Sequence, residues 1–442
     1  MFLRFVAENI FSFKDAVEFN TFPSSKSHSH NHHKSACSHA TALRLAAIYG
    51  ANGAGKSNLL AAIDLLRNAV LLGTLDSIRQ NGSLAFRFDK DCLDKPSGLA
   101  IEFYENKKVF YYHLEFKDHE VMLEELLLSK KTKDVTIFHR EGSDIKLNGD
   151  MLTKGVNRTF LDALDRLVRS DMLLLSFFGQ YYPTEFEVVT EAYSWFVNRL
   201  RIVLPDTISG HVPHLLDTFD SFKRLVNATI PELKTGINSL DVEKIVVSEE
   251  TAKGNPMLLS AIREARKNPG EPQIVEGESP TEISNVVFEG GQVWQKTLLS
   301  IHTDIAGNTY TAPISIESDG TRRLIEYMPL FFAITHSDAV YVLDEIERSV
   351  HPIMIKSIIH KISAMENAAG QIIFTTHESG LLDQDIFRPD EIWFAQKDSE
   401  QATKLYPLSD YNIHRTANIE NGYLAGRYGG IPFLSNLKDL HW

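Results

Sequence analysis

Polar and apolar positions alternate at the start of the chain: Phe2, Arg4 and Val6, then Val17 and Phe19, with Lys14-Asp15 between them. That period of two predicts a β-hairpin over residues 2–22. A polar stretch rich in Ser and His follows at 23–41, and then an apolar run, Leu43 to Tyr49, reads as a buried strand. Beyond a glycine-rich loop, Leu59, Ile63, Leu66 and Val70 fall at helical spacing, which predicts a helix to about Leu72. From Leu84 to Leu147 the pattern returns to strands: Ala85–Phe88, Leu99–Tyr104, Val109–Phe116, Val121–Leu128 and Val135–His139. Turn clusters such as Lys95-Pro96-Ser97-Gly98 and Glu105-Asn106-Lys107 separate them, as in an antiparallel sheet.

Helical spacing governs 152–236, for example Phe160-Leu161-Leu164-Leu167-Val168 and Leu215-Leu216-Phe219-Phe222, without the sustained heptads of a coiled coil. Residues 250–285, rich in Gly, Pro, Glu and Ser, read as a mobile connector, and an α/β pattern resumes at Val286. No internal repeat is visible. The expectation is an α/β protein with a first lobe at 1–150, a helical insertion and connector at 151–285, and a second lobe at 286–442.

The loop between the strand and the helix is Gly50-Ala51-Asn52-Gly53-Ala54-Gly55-Lys56-Ser57, followed by Asn58. It fits G-x-x-x-x-G-K-[ST], and the strand–loop–helix context is the one this phosphate-binding motif needs. Glycines let successive N–H groups face one centre, and the helix start adds partial positive charge. Lys56 is placed to reach the β- and γ-phosphates of ATP, and Ser57 to ligate Mg²⁺.

A second apolar strand, Ala339 to Leu343, ends in Asp344-Glu345. In-line phosphoryl transfer needs a metal and a positioned base; Asp344 is placed to serve Mg²⁺ and Glu345 to orient and deprotonate water. A third apolar strand, Ile372-Ile373-Phe374-Thr375-Thr376, ends in His377. One helix and one loop fit between Asp344 and His377, which puts the two strands side by side and points His377 at the γ-phosphate. Upstream, Ser318-Asp319-Gly320-Thr321 opens a helix whose apolar positions are Leu324, Tyr327, Met328 and Phe331. Small polar residues at a helix start make an anion site. One cradle already serves the γ-phosphate, so a second suggests ATP held by another subunit. The capping role of Ser318 or Asp319 is compatible with this.

Bulk properties narrow the classes. With 442 residues the chain can hold two or three domains, and 43% hydrophobic content is that of a globular protein. No apolar run is long enough for a membrane span, the first residues lack a signal-peptide core, and two cysteines make no disulfide framework, so a cytoplasmic setting is expected. A net charge of −13 argues against a broad nucleic-acid coat but leaves a local basic groove open, for example around Lys130-Lys131-Thr132-Lys133.

Taken together, GANGAGKSN, ESDGT, VYVLDEIE and TTH resemble, in this order, the ABC-type ATPases of the SMC/RecF/OLD group. The chain is similar above all to stand-alone bacterial ATPases related to the ATPase subunits of the PARIS, Septu and retron anti-phage systems and to abortive-infection ATPases. Glu8-Asn9-Ile10-Phe11-Ser12-Phe13-Lys14, Glu347 to Pro352, and Tyr423 to Pro432 carry further likeness. The resemblance implies an ABC-type P-loop head with an antiparallel β subdomain and an inserted helical lid. It implies ATP bound by Gly50 through Asn58, Mg²⁺ served by Ser57 and Asp344, and Glu345 as base. It further implies His377 as γ-phosphate sensor, Ser12 and Phe13 near the adenine, and Ser318, Gly320 and Thr321 acting across a head-to-tail homodimer. Arg348 to His351 would line that seam, where such proteins more often carry Gly-Leu than Ser349-Val350. The loop glutamine of ABC ATPases has only a weak counterpart, Gln80. With 65 residues after His377, a Toprim nuclease does not fit, so an effector nuclease or toxin is expected as a separate chain.

The leading expectation is therefore an ATP-driven switch subunit of an anti-phage complex. The alternative is a RecF-like DNA-maintenance ATPase that binds DNA directly. A GTPase or small-molecule kinase leaves Ser318–Thr321 unexplained. The insertion with His28, His30, His32, His33, Cys37 and His39 is expected to be a flexible loop, with zinc or copper binding the lesser alternative.

Overall fold

The computed structural model describes residues 1–76, 83–149, 163–205, 211–276, 283–414 and 417–431. By contacts the chain forms two units: Met1–Pro205, Ser337–Ile346 and Lys356–Trp442 make the first, and Asp206–His336 with Glu347–Ile355 make the second. The contact division thus falls at Pro205 rather than at 150.

In the first unit a six-stranded sheet runs in the order Leu200–Val203, Val340–Leu343, Gln371–Thr375, Leu45–Gly50, Ile392–Lys397, Thr403–Pro407. The first five strands are parallel and the last is antiparallel to its neighbour. Leu45–Gly50 and Gln371–Thr375 are buried along their whole length, as strands covered on both faces must be. The edge strand Leu200–Val203 lies within the stretch expected to be helical. Its four residues are too few to break a helical reading, and pairing with Val340–Leu343 makes them a strand.

The helix Lys56–Leu72 buries Leu59, Leu60, Ala62, Ile63, Leu66, Ala69 and Val70, the stripe its spacing predicts, and Gly73 closes it in the left-handed conformation. The second sheet is antiparallel, in the order Asp144–Leu147, Val135–Glu141, Glu120–Ser129, Lys108–Lys117, Ser97–Glu105, Phe2–Glu8, Val17–Asn20. The opening hairpin and the later strands are thus as expected, except that Ala85–Phe88 is not a strand. Phe86 is instead a fully buried plug against Cys92 and Ala402. One core joins both sheets, with Trp195 stacked on Phe103 at 4.4 Å between ring centres. Gln371 links them through its amide, which accepts from Phe2 N at 2.7 Å and donates to Phe2 O at 3.0 Å and Leu43 O at 2.8 Å.

The histidine-rich insertion is not a flexible loop. Asn31–His33 forms a 3₁₀ turn and Lys34–Cys37 pairs with Ala40–Leu43 in a hairpin. Cys37 is buried with Met1, Leu3, Ala42 and Val109 in a small core of its own. Polar composition suggested exposure, but the polar groups here are spent on buried partners in the same unit.

The second unit carries helices, as expected, and also a five-stranded antiparallel sheet. Its order is Ser239–Val246, Gln292–Thr303, Ile283–Glu289, Gln273–Glu276, with Thr309–Pro313 also on Gln292–Thr303. The helices Val212–Thr218 and Asp220–Thr229 pack Val212, Leu216, Phe222 and Val226 with Leu240, Leu298 and Met328. The expected connector contains a helix, Pro256–Lys267, capped by the Asn255 side chain and burying Ala261, Ile262 and Ala265. Its flanking Gly and Pro residues masked a short apolar stripe. Phe160, Leu161, Gln80 and Pro432 lie outside the described residues.

Candidate functional site

Strand order decides what the loop faces. The strand that enters the glycine-rich loop lies between Ile392–Lys397 and Gln371–Thr375, and the latter pairs with Val340–Leu343. All four are parallel, so their C-terminal ends, Gly50, Thr375 and Leu343 with the residues that follow, open at one edge of the sheet. Ligands of parallel α/β sheets bind at that edge.

Lys56 is 5% exposed, and its ammonium donates to Gly50 O at 2.8 Å and Ala51 O at 3.3 Å. His377 comes from the neighbouring strand with Nε2 3.1 Å from Lys56 Nζ. The lysine and the histidine therefore meet at one point, as roles at one terminal phosphate require. Asn52, Gly53 and Ser57 are exposed along the loop.

Two glycines are sterically required. A Cβ on Gly50 would stand 2.5 Å from the Ala395 carbonyl oxygen. Gly55 has φ +102°, and a Cβ there would fall 2.1 Å from Thr403 Oγ1 and 2.8 Å from Ser12 Oγ. Thr403 was not foreseen. Its hydroxyl donates to Ala54 O at 2.9 Å and lies 2.8 Å from Ser12 Oγ, which also accepts from Asn58 Nδ2 at 2.8 Å. These groups brace the loop from behind. Thr403 lies far along the chain on a short antiparallel strand, so no local spacing could have announced it.

The same segment is the one expected near the adenine. Ser12 is 3% exposed beneath the loop and Phe13 is wholly buried in the core, so Phe13 offers no ring face to a base.

Asp344 is 5% exposed, and one of its carboxylate oxygens accepts the Thr375 hydroxyl hydrogen. The same Thr375 oxygen accepts from Glu345 N at 2.8 Å. Thr375 therefore positions both acids, a role sequence reasoning missed because a threonine in an apolar strand carries no signal by itself. Glu345 is half-buried with φ 49°, the left-handed conformation that non-glycine residues adopt at a cost and that clusters at functional sites. The residues present fit ATP and Mg²⁺: a lysine held at the mouth of a glycine loop, an exposed Ser57 hydroxyl at a helix start and a buried carboxylate two strands along the same sheet edge.

In the second unit Ser318 and Asp319 are exposed, and Ser318 caps the helix Asp319–Glu326, its hydroxyl accepting from Thr321 N at 3.2 Å and lying 2.8 Å from Thr321 Oγ1. A Cβ on Gly320 would sit 2.5 Å from the Ser349 carbonyl oxygen, so the Ser318–Thr321 and Arg348–His351 stretches abut. Ser349 has φ 62°, which explains why glycine suits this position better. Its side chain is exposed. Ser349→Gly is expected to stabilise the protein by about 0.5–1 kcal/mol, the left-handed penalty of about 1–2 kcal/mol less the added backbone entropy of glycine. The urea unfolding midpoint measures this; an unchanged or lower midpoint contradicts it.

The order of motifs on the page, phosphate loop, capped Ser318 helix, acid-ended strand and histidine strand, is that of an ABC-type ATPase head. Among solved structures the chain is similar to an Smc head bound to the C-terminal winged-helix domain of ScpA, with 15% identity, 92% of this chain and 97% of that chain covered, and a TM-score of 0.43. It is also similar to the SMC head domain from Thermotoga maritima, with 14% identity, 93% and 99% coverage, and a TM-score of 0.37. A third is the Smc head with an extended coiled coil bound to the C-terminal domain of ScpA derived from Pyrococcus furiosus, with 14% identity, 92% and 96% coverage, and a TM-score of 0.35. These likenesses assign no role to any residue here. Comparison with curated proteins gave no match. Residues 45–383, well over half of the chain and including every motif from the phosphate loop to His377, match one protein family. The chain belongs to the family described as "AAA domain, putative AbiEii toxin, Type IV TA system".

Proposed function

We propose that this protein is an ATP-hydrolysing switch subunit of a bacterial anti-phage complex, working in the cytoplasm as an ATP-bridged homodimer that controls a separate nuclease or toxic effector. The observation that carries the ATPase reading is the convergence of Lys56 and His377, 3.1 Å apart, at the strand edge where Asp344 and Glu345 also emerge. Lys56, His377 and the loop N–H groups bind and orient the triphosphate. Ser57 and Asp344 would hold Mg²⁺, which would supply charge neutralisation for the triphosphate. Glu345 orients a water molecule in line with the γ-phosphorus and takes its proton. The O–P bond forms as the bond to the ADP oxygen breaks, giving ADP and phosphate.

The dimer reading is supported by the exposed Ser318 and Asp319 at a helix start, where backbone N–H groups favour anions. Ile316 and Ile353, which flank the two abutting stretches in sequence, are 65% and 72% exposed, as apolar residues of a partner surface are. The family description, with its toxin of a type IV toxin–antitoxin system, supports the defence reading. ATP is expected to convert the chain to a dimer in a size measurement, and Ser318→Arg to abolish that conversion while leaving ATP binding to the single chain intact. An unchanged size with ATP overturns the shared site. Turnover stimulated by DNA instead favours direct DNA binding.

A further inference from the structure

We propose that His30, His32 and His33 form a binding site for a divalent transition-metal ion of the zinc type, with the Ser363 carbonyl oxygen beside them and Glu391 orienting His33 from behind. A ligand nitrogen from each of the three imidazoles lies within 4.8 Å of the others. Tetrahedral zinc with bonds of about 2.0–2.1 Å to nitrogen has neighbouring ligand atoms about 3.3 Å apart, so small side-chain shifts complete the geometry. His32 Nε2 and His33 Nε2 already converge on the Ser363 carbonyl, at 2.8 Å and 2.9 Å. His30 Nε2 lies 2.8 Å from Gln384 O.

Glu391 holds the His33 ring as the partner of a ligating histidine does. The ring's Nδ1 faces the Glu391 carboxylate at 2.8 Å and its Nε2 faces a carbonyl, and the ring is 2% exposed. With the N–H on Nδ1, the ring keeps a lone pair at Nε2 for an ion. A metal at Nε2 satisfies that side, while Nδ1–H donates to Glu391 in the arrangement that ligating histidines usually adopt. Glu391 is itself fully buried; burial pushes its carboxyl up from the ordinary range, and the His33 hydrogen bond draws it back.

The backbone is held as a site requires. Arg388 donates to Ser29 O and to Ser27 O, and Arg44 donates to His32 O, so buried guanidinium groups clamp the turn from both sides. His30 sits at φ 43°, a strained conformation in a segment otherwise fixed by hydrogen bonds. Imidazole donors favour zinc, copper or nickel over Mg²⁺ or Ca²⁺, which separates this site chemically from the one at Ser57 and Asp344. A bound ion would tie residues 30–33 to Ser363, at the end of the helix Pro352–Ser363.

The test uses the full chain, freed of metal by a chelator and titrated with Co²⁺ and then Zn²⁺. One equivalent of Co²⁺ with the intense visible absorption of a tetrahedral centre is expected, displaced by Zn²⁺. The His30→Ala/His32→Ala double variant is expected to weaken uptake at least about 100-fold, whereas His28→Ala/His39→Ala retains it. Far-ultraviolet circular dichroism without metal keeps the comparison between folded proteins. If the double variant fails to fold, the single variants, each removing one ligand, carry the same comparison. Absence of the tetrahedral signal in the parent chain, or its survival in the ligand variants, overturns the proposal.

Discussion

Glu345→Gln is expected to lower ATP turnover about 10²–10⁴-fold, the range for loss of a positioned general base, while ATP binding is retained. Gln keeps the size of the side chain and can still orient water, but it cannot take the proton. The backbone hydrogen bond from Glu345 N to Thr375 is made by the main chain, so the substitution leaves it in place. ATP should then persist on the protein, and the proposed ATP-bridged dimer should accumulate. Lys56→Ala gives the opposite pattern, with binding lost and no dimer. Turnover by phosphate release and size by light scattering separate the outcomes. Turnover within about threefold of the parent in the Glu345 variant, far from the loss a missing base produces, removes Glu345 from the reaction.

The second large effect is structural. Gly55→Ala is expected to destabilise the first unit by about 2–4 kcal/mol and to abolish ATP binding. Two costs add. The left-handed backbone at φ +102° penalises any Cβ, and this Cβ would fall 2.1 Å from Thr403 Oγ1. Thr403 cannot simply swing away, because it is fully buried and its hydroxyl bonds to Ala54 O with Ser12 alongside. Adding Thr403→Ala removes the closest contact but not the backbone penalty or the contact with Ser12, so only partial recovery is expected. Urea unfolding measures the stability, and a fluorescent ATP analogue measures binding. A single variant that unfolds and binds like the parent contradicts the packing described behind the loop.

Both effects depend on residues whose roles differ in how openly the chain displays them. The glycine loop, Lys56 and Ser57 were legible because their chemistry needs a fixed spacing within one turn, and periodicity around them marks a strand and a helix. Asp344-Glu345 and His377 were legible because each ends an apolar strand, and the connection between them is of the length that makes parallel neighbours. Thr375, Thr403 and Ser12 were not. Each is a small hydroxyl residue whose partner is distant along the chain, and its function is a contact rather than a composition. The burial of Phe13 was hidden for a related reason: its place in the core beside the loop is set by packing with residues far along the chain.

At the scale of the fold, alternation and helical spacing foretold the antiparallel sheet, the opening hairpin and the helix after the loop, since each follows from which faces are buried within a few residues. Patterns of that range carry no information about which strands lie beside one another when helices and whole segments intervene. Long-range contacts placed Leu200–Val203 next to Val340–Leu343, grouped 211–276 with 283–336, and brought His32 and His33 to Ser363 and His30 to Gln384. Local sequence prescribes the chemistry available at each position because side-chain identity and short-range periodicity are properties of neighbours in the chain. Long-range pairing and burial select which of those groups meet, because the free energy of packing and hydrogen bonding is settled between residues that the chain alone keeps far apart.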